Sequence, residues 1–426
     1  MKAHAYPQYK DSGQSWLGNI PSHWELQRIK HSLSEKKTKK GGSLPCGAIS
    51  FGKVVTKDSD SIPVETRQTY QEVQPGEYLI NPINLNYDLK SLRTALSSIS
   101  VCVSPAYIVA KPNQSKLLPR YGEYLLYLFD IAHMKTLGAG VRQTITFDDI
   151  GNCRWCLPPL TEQEAVTAFL DHETSRIDSL IEKKTRFIEL LKEKRQAVIT
   201  NAVTRGLDPS VPMKDSGVKW LGDIPIHWET KAIKRFATVN DDVLPDTTPP
   251  DYQIEYVEIG DVNEVEGIAS STLVNFSEAS SRARRLVRDG DIIISTVRTY
   301  LRAIAGVFKP PRNLVVSTGF AVLRPFAIEP DFARYALAAD YFMSSVVSHS
   351  SGISYPAINA SELMSLHAAV PPREDQLLIV EHIKKTNAKI DGLIFKTKRS
   401  VELLQEHRAA LVTAAVTGKI DARNSK

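Results

Sequence analysis

The stretch YKDSGQSWLGNIPSHWELQRIKHSLS, residues 9–34, recurs at residues 213–238 as MKDSGVKWLGDIPIHWETKAIKRFAT. A second block, residues 156–208 (CLPPLTEQEA to AVTRGLD), recurs at residues 369–421 (AVPPREDQLL to AVTGKID). Self-similarity at a fixed offset is typical of chains built from copies of one structural unit. The sequence therefore predicts a pseudo-dimer within one chain, with a pseudo-twofold internal repeat.

The segments between the repeated blocks do not resemble each other. Residues 35–155 and 239–368, hereafter the first and second insert, show no alignment. Short apolar runs bounded by turn residues predict β-strands in both inserts, so the fold class expected for them is mixed α/β. Strands are expected at 47–55, 77–81 and 106–110 in the first insert and at 253–259, 291–297, 314–317 and 321–323 in the second, with helices at 121–136 and 331–347.

Residues 9–34 and 213–238, hereafter the two lead-ins, are rich in glycine and proline, so turns are expected there rather than helices. Their large apolar residues should fix them to a domain surface, and these are Trp16, Leu17, Ile20 and Trp24 with the copies Trp220, Leu221, Ile224 and Trp228. His23 and His227 precede tryptophans. A packed structural role is favoured over catalysis for both, because no serine, cysteine or carboxylate partner is seen to recur with them.

Each copy of the second block predicts one long helix. Pro158–Pro159 and Pro371–Pro372 cannot continue an earlier helix but suit the start of a new one. Thr161 and Glu164 fit a capping box at the first start. Because the first helix leads from the first insert to the second and the second helix returns, the pair is expected to be antiparallel.

Apolar residues follow at alternating steps of four and three in both helices, which predicts a coiled-coil seam. The seam residues are Ile177, Ile181, Ile188, Leu191 and Val198 in the first helix and Ile390, Ile394, Val401, Leu404 and Leu411 in the second. Arg195 and Arg408 interrupt the seam at matching positions, either to fix its register or as arginines at a loose seam.

Composition sets broad limits on function. The net charge of +5 permits nucleic-acid binding without requiring it. No window approaches 18 uncharged apolar residues and the N-terminus has no apolar core, so neither a membrane span nor a secretory signal is expected. With so few cysteines, a reducing cytoplasm is the expected compartment. Cys46, Cys102, Cys153 and Cys156 are too few for a disulfide scaffold, and the Cys153–Cys156 spacing is only half of a zinc site, so no metal is expected.

Motifs for catalysis are missing. Residues 81–84 (NPIN) contain only the start of an amino-methyltransferase motif, and no glycine-rich loop follows a strand as a methyl-donor cofactor would need. There is no nucleotide-binding GxxxxGK[ST] sequence and no strand-borne Asp…Glu-x-Lys group of a metal-dependent nuclease. Nothing in the sequence requires an active site.

Basic residues in the inserts are the candidate DNA contacts. Arginines flank the predicted strand at 291–297 with an aromatic residue among them, which suits phosphate contact and guanine readout. For each residue singly, a solvated surface charge is the alternative. The candidates are Lys36, Lys37, Arg67, Arg93 and Arg142 in the first insert and Arg282, Arg284, Arg285, Arg298, Tyr300 and Arg302 in the second.

The sequence resembles the specificity subunits of type I restriction–modification enzymes. The motifs that carry the resemblance are KDSGxxWLGxIPxHWE in both lead-ins, PPxxxQ at both helix starts, and IDxLI at residues 177–181 and 390–394. The resemblance covers essentially the whole chain in the order of that family. The segments are a first target recognition domain, a spacer helix, a second target recognition domain, a second spacer helix and a tail, at residues 1–157, 158–205, 206–370, 371–418 and 419–426.

This resemblance implies a subunit without catalytic activity that recognises a bipartite sequence in double-stranded DNA. Each target recognition domain reads one half-site, and the antiparallel helices set the spacer and help to dock two modification subunits. Those partners methylate adenine with S-adenosylmethionine, and restriction subunits, where a complex has them, use ATP and Mg. No cofactor is then expected on this chain itself. The alternatives are a stand-alone DNA methyltransferase or nuclease, and a coiled-coil scaffold without a nucleic-acid role.

Overall fold

The computed structural model describes residues 5–36, 43–58, 62–83, 92–137, 144–263, 267–352 and 354–424. The chain divides into two compact units. The first consists of Met1–Lys184 with Arg399–Lys426, and the second is Thr185–Lys398. Each unit thus contains one lead-in, one insert and parts of both long helices.

The first unit combines short strands with α-helices. Its strands are β1 (Tyr9–Asp11), β2 (Asn19–Pro21), β3 (Glu25–Arg28), β4 (Leu33–Glu35), β5 (Gly47–Ser50), β6 (Lys53–Thr56), β7 (Gln71–Val73), β8 (Tyr78–Ile80), β9 (Thr94–Leu96), β10 (Val101–Val103), β11 (Ile108–Pro112) and β12 (Arg154–Leu157). Its α-helices are α1 (Val64–Gln68), α2 (Pro119–Ala132), α3 (Phe147–Asn152) and the start of α4 (Leu160–Arg205). Short 3-10 turns occupy Ile29–His31, Met134–Thr136 and Ala422–Asn424.

The second unit is built from the same kinds of element. Its strands are β13 (Met213–Asp215), β14 (Asp223–Pro225), β15 (Glu229–Ala232), β16 (Ala237–Val239), β17 (Gln253–Val257), β18 (Val262–Asn263), β19 (Gly267–Ile268), β20 (Thr272–Asn275), β21 (Ala283–Leu286), β22 (Ile292–Ser295), β23 (Ile304–Gly306), β24 (Leu314–Ser317), β25 (Phe320–Pro325) and β26 (His367–Val370). Its helices are α5 (Pro330–Ala338), α6 (Asp340–Ser348), α7 (Ala360–Ser365) and the start of α8 (Arg373–Val416), with 3-10 turns at Ile233–Arg235, Ile259–Asp261 and Thr299–Leu301.

The two inserts share one sheet order although their sequences do not align. In the first, an antiparallel sheet runs β4-β11-β8-β9, and in the second an antiparallel sheet runs β16-β25-β22-β23. In each case a hairpin, β8–β9 or β22–β23, forms the end of the sheet. Three- to six-residue strands require only a few apolar residues to face a core, so sequences can diverge widely while the strand order stays.

The main core of each unit lies where its sheet meets a helix that starts with proline. In α2, the buried residues Tyr121, Leu125 and Phe129 recur every four positions and share a core with Tyr78 and Ile80 of β8. In the second unit, α5 contributes Phe332 and Ala336 to a core that includes β22 residues. This spacing lines one face of each helix with apolar side chains.

Three predicted elements differ from the structure. The strand expected at 47–55 is the hairpin β5–β6, which turns at Phe51 and Gly52 with φ values of 48° and 72°. The helix expected at 331–347 is broken into α5 and α6, because Ala339 takes an extended conformation. The capping box expected at Thr161 is wrong, since α4 already begins at Leu160. Among the helices that the structure describes, none combines the length and apolarity of a membrane span.

Candidate nucleic-acid interface and helical frame

The helices α4 and α8 pack together, and the predicted seam residues are the more sheltered ones along both. Ile177, Leu191 and Ile390 are buried, while the intermediate class contains Ile181, Ile188, Val198, Ile394, Val401, Leu404 and Leu411. Positions between them, such as Leu190 and Leu403, are exposed. The seam assignment remains a prediction, but this burial pattern has the seven-residue spacing on which it rests.

The two arginines that interrupt the seam each pair with an aspartate of the other helix. In the first unit, Arg408 Nε lies 2.8 Å from Asp178 Oδ1. In the second unit, Arg195 pairs with Asp391. Both arginines and both aspartates are related by the same offset in sequence, so the pairs are equivalent. Exposed ion pairs contribute at most about 1 kcal/mol each, but these form in one register only, which favours register control over a loose seam.

The lead-in histidines and tryptophans bind the first turn of the long helices. His23 Nε2 lies 2.8 Å from Glu162 Oε1, and Trp24 Nε1 donates to Glu162 Oε2 at 3.0 Å. In the second unit, His227 and Trp228 make the same contacts to Asp375 Oδ2, at 2.8 and 3.0 Å. The expectation that no carboxylate recurs with these histidines is therefore wrong. An acid at a helix N-terminus is also stabilised by the helix dipole, so this contact fixes the lead-in and the helix start together.

The glutamine of each PPxxxQ motif ties a long helix to the insert. Gln163 Nε2 donates to the carbonyls of Pro158 and Lys116, at 3.0 and 2.8 Å, while its Oε1 accepts the Leu118 N–H at 2.9 Å. Leu118 is the N-cap residue of α2.

The second unit repeats this arrangement. Gln376 Nε2 donates to the Pro371 carbonyl at 2.8 Å and its Oε1 accepts the N–H of Glu329, the N-cap residue of α5, at 2.8 Å. The glutamine thus satisfies backbone groups that the start of a helix leaves unpaired.

One contact between insert and helix has opposite polarity in the two units. Arg120, the second residue of α2, donates through Nε to Asp171 of α4 at 2.8 Å. At the equivalent place in the second unit, Asp331 of α5 pairs with Lys384 of α8. The cation is on the insert in one unit and on the long helix in the other.

The second insert presents part of its arginine cluster on an exposed loop, residues 296–303, between β22 and β23. Thr299 anchors this loop, because its N–H donates to the Pro356 carbonyl at 3.3 Å and its hydroxyl donates to Ser350 Oγ at 2.7 Å. Arg298 and Arg302 both have a φ of 51°. Side chains rarely adopt this left-handed conformation, and where they do, the strain is often found at functional sites.

The candidates of the second insert differ in their partners. Arg302 donates to Asp340 Oδ1 at 2.7 Å, and Arg284 lies 3.3 Å from Asp246 Oδ1, so both have carboxylate partners. Arg298 instead lies over the Tyr355 ring, 5.3 Å from its centroid. Stacking on an aromatic face leaves the donor edge of a guanidinium free. The remaining candidates are half-buried Arg285 and exposed Arg282 and Tyr300.

The candidates of the first insert are less accessible. Lys36 is only 10% exposed at its side chain, and its Nζ lies 2.9 Å from Glu77 Oε2. Arg93 is buried and Arg67 is half-buried. For Lys36 and Arg93, these positions disagree with a DNA-facing role, because a contact would require a buried charge to leave its surroundings. Lys37 and Arg142 lie outside the described residues.

Asp130 of α2 holds the start of β9, where the loop of the first hairpin ends. Its Oδ2 accepts the backbone N–H of Arg93. Burial raises the pKa of the Asp130 carboxyl to about 6 from the ordinary value of 3.8. Between pH 3.8 and about pH 6, the Asp130 carboxyl is therefore protonated in the folded state and ionised in the unfolded state. The free energy of unfolding falls as the pH rises through this range.

Replacing Asp130 with Asn should remove this pH dependence. A rise of about two pKa units means that the ionised Asp130 destabilises the folded state by roughly 3 kcal/mol. Asp130→Asn is expected to be more stable than the wild type by about that amount at pH 7, with a difference that shrinks towards pH 4, because Asn keeps an acceptor but no charge. Urea unfolding of both proteins from pH 4 to pH 8 measures it. A difference that does not vary with pH would contradict the assignment.

Cys46, Cys102 and Cys156 are buried and Cys153 is half-buried, and none is in a disulfide. Within the described part of the chain, no cluster of histidine, cysteine and carboxylate side chains could hold a metal ion.

Comparisons with known proteins agree with the architecture. No family model matches the sequence. A Methanocaldococcus jannaschii protein, named provisionally as the type I restriction enzyme MjaX specificity subunit, is 24% identical over 95% of each chain. The type I restriction enzyme MjaVIII specificity subunit of the same organism is 22% identical over 64% of this chain and 63% of its own length.

A solved chain from a study of complex assembly and conformational transition of the type I R-M system has the same fold. It matches with a TM-score of 0.65 and 16% identity, over 93% of this chain and 98% of that chain. Across 95% of its length, the chain is thus similar in sequence to a protein named as a type I restriction enzyme specificity subunit.

Proposed function

We propose that this chain is the DNA sequence-recognition subunit of a type I restriction–modification complex. Its two target recognition domains each read one half of an asymmetric bipartite site. Its two long helices, paired as an antiparallel coiled coil, set the spacer and dock two modification subunits. The relative that spans 95% of both chains is the observation that carries this proposal.

The construction of the inserts supports the reading of two different half-sites. Both carry the same sheet order, and each ends its sheet in a hairpin. The connecting segments differ, because β8 and β9 are joined by residues 81–93 whereas β22 and β23 are joined by residues 296–303. Identical domains in a symmetric dimer read a palindrome, whereas two domains with different loops suit an asymmetric site.

The chemistry then belongs to the partners. The modification subunits bring S-adenosylmethionine and methylate adenine, and restriction subunits, where present, bring ATP and Mg. This chain holds no cofactor and contributes recognition and geometry. A cytoplasmic location of the complex is part of this proposal, because such a complex acts on the DNA of its host.

The test is to purify the chain with its modification subunit and to treat random-sequence duplex DNA with S-adenosylmethionine. Adenine methylation at one bipartite sequence is expected from the complex, and none from the chain alone. Methylation by the isolated chain would support a stand-alone methyltransferase instead. A complex that shows no salt-dependent DNA binding would support the scaffold alternative.

Arg298 is the residue of the second insert best placed to contact a base. Replacing it with Ala should weaken binding to the second half-site by about 1–3 kcal/mol and relax preference for one guanine, because arginine binds the guanine edge through two hydrogen bonds. Sequencing of methylated sites for the wild-type and variant complexes measures both effects.

Arg288→Ala is the matched control, since Arg288 is an exposed arginine of the same insert that pairs with Asp242 at 2.8 Å. It should leave both half-sites unchanged. Equal weakening of all sequences by Arg298→Ala would show that Arg298 contacts phosphate and not a base.

A further inference from the structure

A cavity of about 250 Å³ opens beside the lead-in of the second unit. Its walls include Pro225, His227, Trp228, Asp375 and Leu378. It therefore lies directly against the contact that fixes this lead-in to the start of α8.

The equivalent place in the first unit is filled by Tyr6. Its ring lies 5.6 Å from that of His23 and 5.7 Å from that of Trp24, and its hydroxyl donates to Glu162 Oε2 at 3.1 Å. Tyr6 is only 3% exposed. In the first unit, therefore, a tyrosine side chain occupies the place that is a cavity in the second unit.

The second unit has no tyrosine to offer at this place. The lead-in offset of 204 relates Tyr6 to Ser210, a short polar residue that hydrogen-bonds to Asp208. The backbone is equivalent two residues further on, because Ser22 N–H donates to the Gln8 carbonyl in the first unit and Ile226 N–H to the Pro212 carbonyl in the second. The cavity is the space that an aromatic side chain occupies in the other copy.

Exposed leucines form the rim of the cavity. Leu207 and Leu378 line it and are 43% and 57% exposed. The residue equivalent to Leu207 is Ile420, which is also apolar, whereas the residue equivalent to Leu378 is the smaller Ala165. Exposed apolar side chains around one cavity are unfavourable in water and are typical of a surface that a partner covers.

The cavity also offers a hydrogen-bond acceptor. Asp375 Oδ2 accepts from His227 and Trp228, and within the described residues no donor reaches Asp375 Oδ1. Glu162 uses both of its oxygens, one of them for the Tyr6 hydroxyl. A phenol supplies a hydroxyl donor together with a ring, and phenylalanine supplies the ring alone.

We propose that this cavity binds the side chain of a tyrosine in a segment of a partner protein. Its ring packs against His227 and Trp228 beneath the leucine rim, and its hydroxyl donates to Asp375. Because Tyr6 already fills the first site, the chain takes one such segment and not two. This sets the partner apart from the two modification subunits, which need two equivalent positions.

The test uses the full chain, with its tryptophans labelled by ¹⁵N, and p-cresol as a stand-in for the tyrosine side chain. The indole N–H signal of Trp228 should shift saturably with p-cresol, while that of Trp24 should stay unchanged. Toluene should bind about tenfold more weakly than p-cresol, because it has no hydroxyl group to donate to the carboxylate. The absence of a saturable Trp228 shift, or equal binding of toluene, overturns the proposal.

Two variants test the assignment, one by filling the cavity of the second unit and the other by removing Tyr6 from the first. Ser210→Tyr should fill the cavity and abolish the response of Trp228, whereas Tyr6→Ala should empty the first site and make Trp24 responsive. A Trp228 response that survives Ser210→Tyr, in a protein that is still folded, contradicts the assignment. A Trp228 signal that moves on dilution without p-cresol would identify a second copy of this chain as the occupant and would also overturn it.

Discussion

Deletion of one heptad from each long helix, residues 183–189 and 396–402, is expected to shorten the preferred spacer by about three base pairs. Seven residues span about 10 Å of helix at ~1.5 Å per residue, and a base pair occupies about 3.4 Å of the duplex. Both deleted segments lie between the Arg–Asp pairs, so Asp178–Arg408 and Arg195–Asp391 remain in their own units. A whole heptad also keeps the seam on one face.

The measurement is the distance between the two methylated half-sites in a random DNA library. The half-site sequences should not change, because neither insert is altered. A matched control removes two residues from each helix, which turns the rest of the seam by about 200° and so away from its partner, and this should abolish the pairing of the two helices. If the heptad deletion changes the half-sites and leaves the spacer as it was, the helices do not set the spacing.

Gln163→Leu is expected to destabilise the first unit by about 3 kcal/mol. The side chain of Gln163 is fully buried and bonds to backbone groups of Pro158, Lys116 and Leu118. Leucine has a similar volume but can neither donate nor accept, so these groups lose their partner, at about 1–3 kcal/mol for each that stays buried.

Hydrogen exchange followed by mass spectrometry localises this effect. Faster exchange is expected at the start of α2 and not in the second unit, whereas Gln376→Leu should produce the converse at the start of α5. Glu164→Leu, at the exposed neighbouring position, is the control and should change stability little. Unchanged exchange at α2 in Gln163→Leu would mean that water replaces the amide at no cost.

The sequence predicts the parts of the structure that repeat. The lead-ins, the proline starts and the seven-residue spacing of α4 and α8 follow from patterns that turn chemistry and helix geometry explain. The aspartate of each IDxLI motif could also have been assigned, because Asp178 and Asp391 share the offset of Arg408 and Arg195.

Contacts between distant residues were harder to foresee. Glu162 lies far along the chain from His23, and its copy is an aspartate, Asp375, so no identical acid marks the pair. The shared sheet order of the inserts was also hidden, since backbone hydrogen bonds define it and short strands leave most side chains free to vary.

Burial limited the choice of DNA contacts. A lysine run at the edge of an insert predicts a basic surface, yet Lys36 lies within reach of Glu77, 41 positions away. Sequence distance gives no measure of such proximity. Arg298 could be recognised as special only from its backbone conformation and from Tyr355 beneath it.

The reversed polarity of the insert contacts bears on how such proteins can diversify by gene exchange. The glutamines hold the inserts through main-chain atoms, so recombination at the lead-ins could replace one insert by another without loss of those bonds. An interchange of the two present inserts would set Arg120 against Lys384 and Asp331 against Asp171. The like charges would repel each other and destabilise the protein with interchanged inserts. Each insert is therefore matched in charge to the long helix that it now contacts.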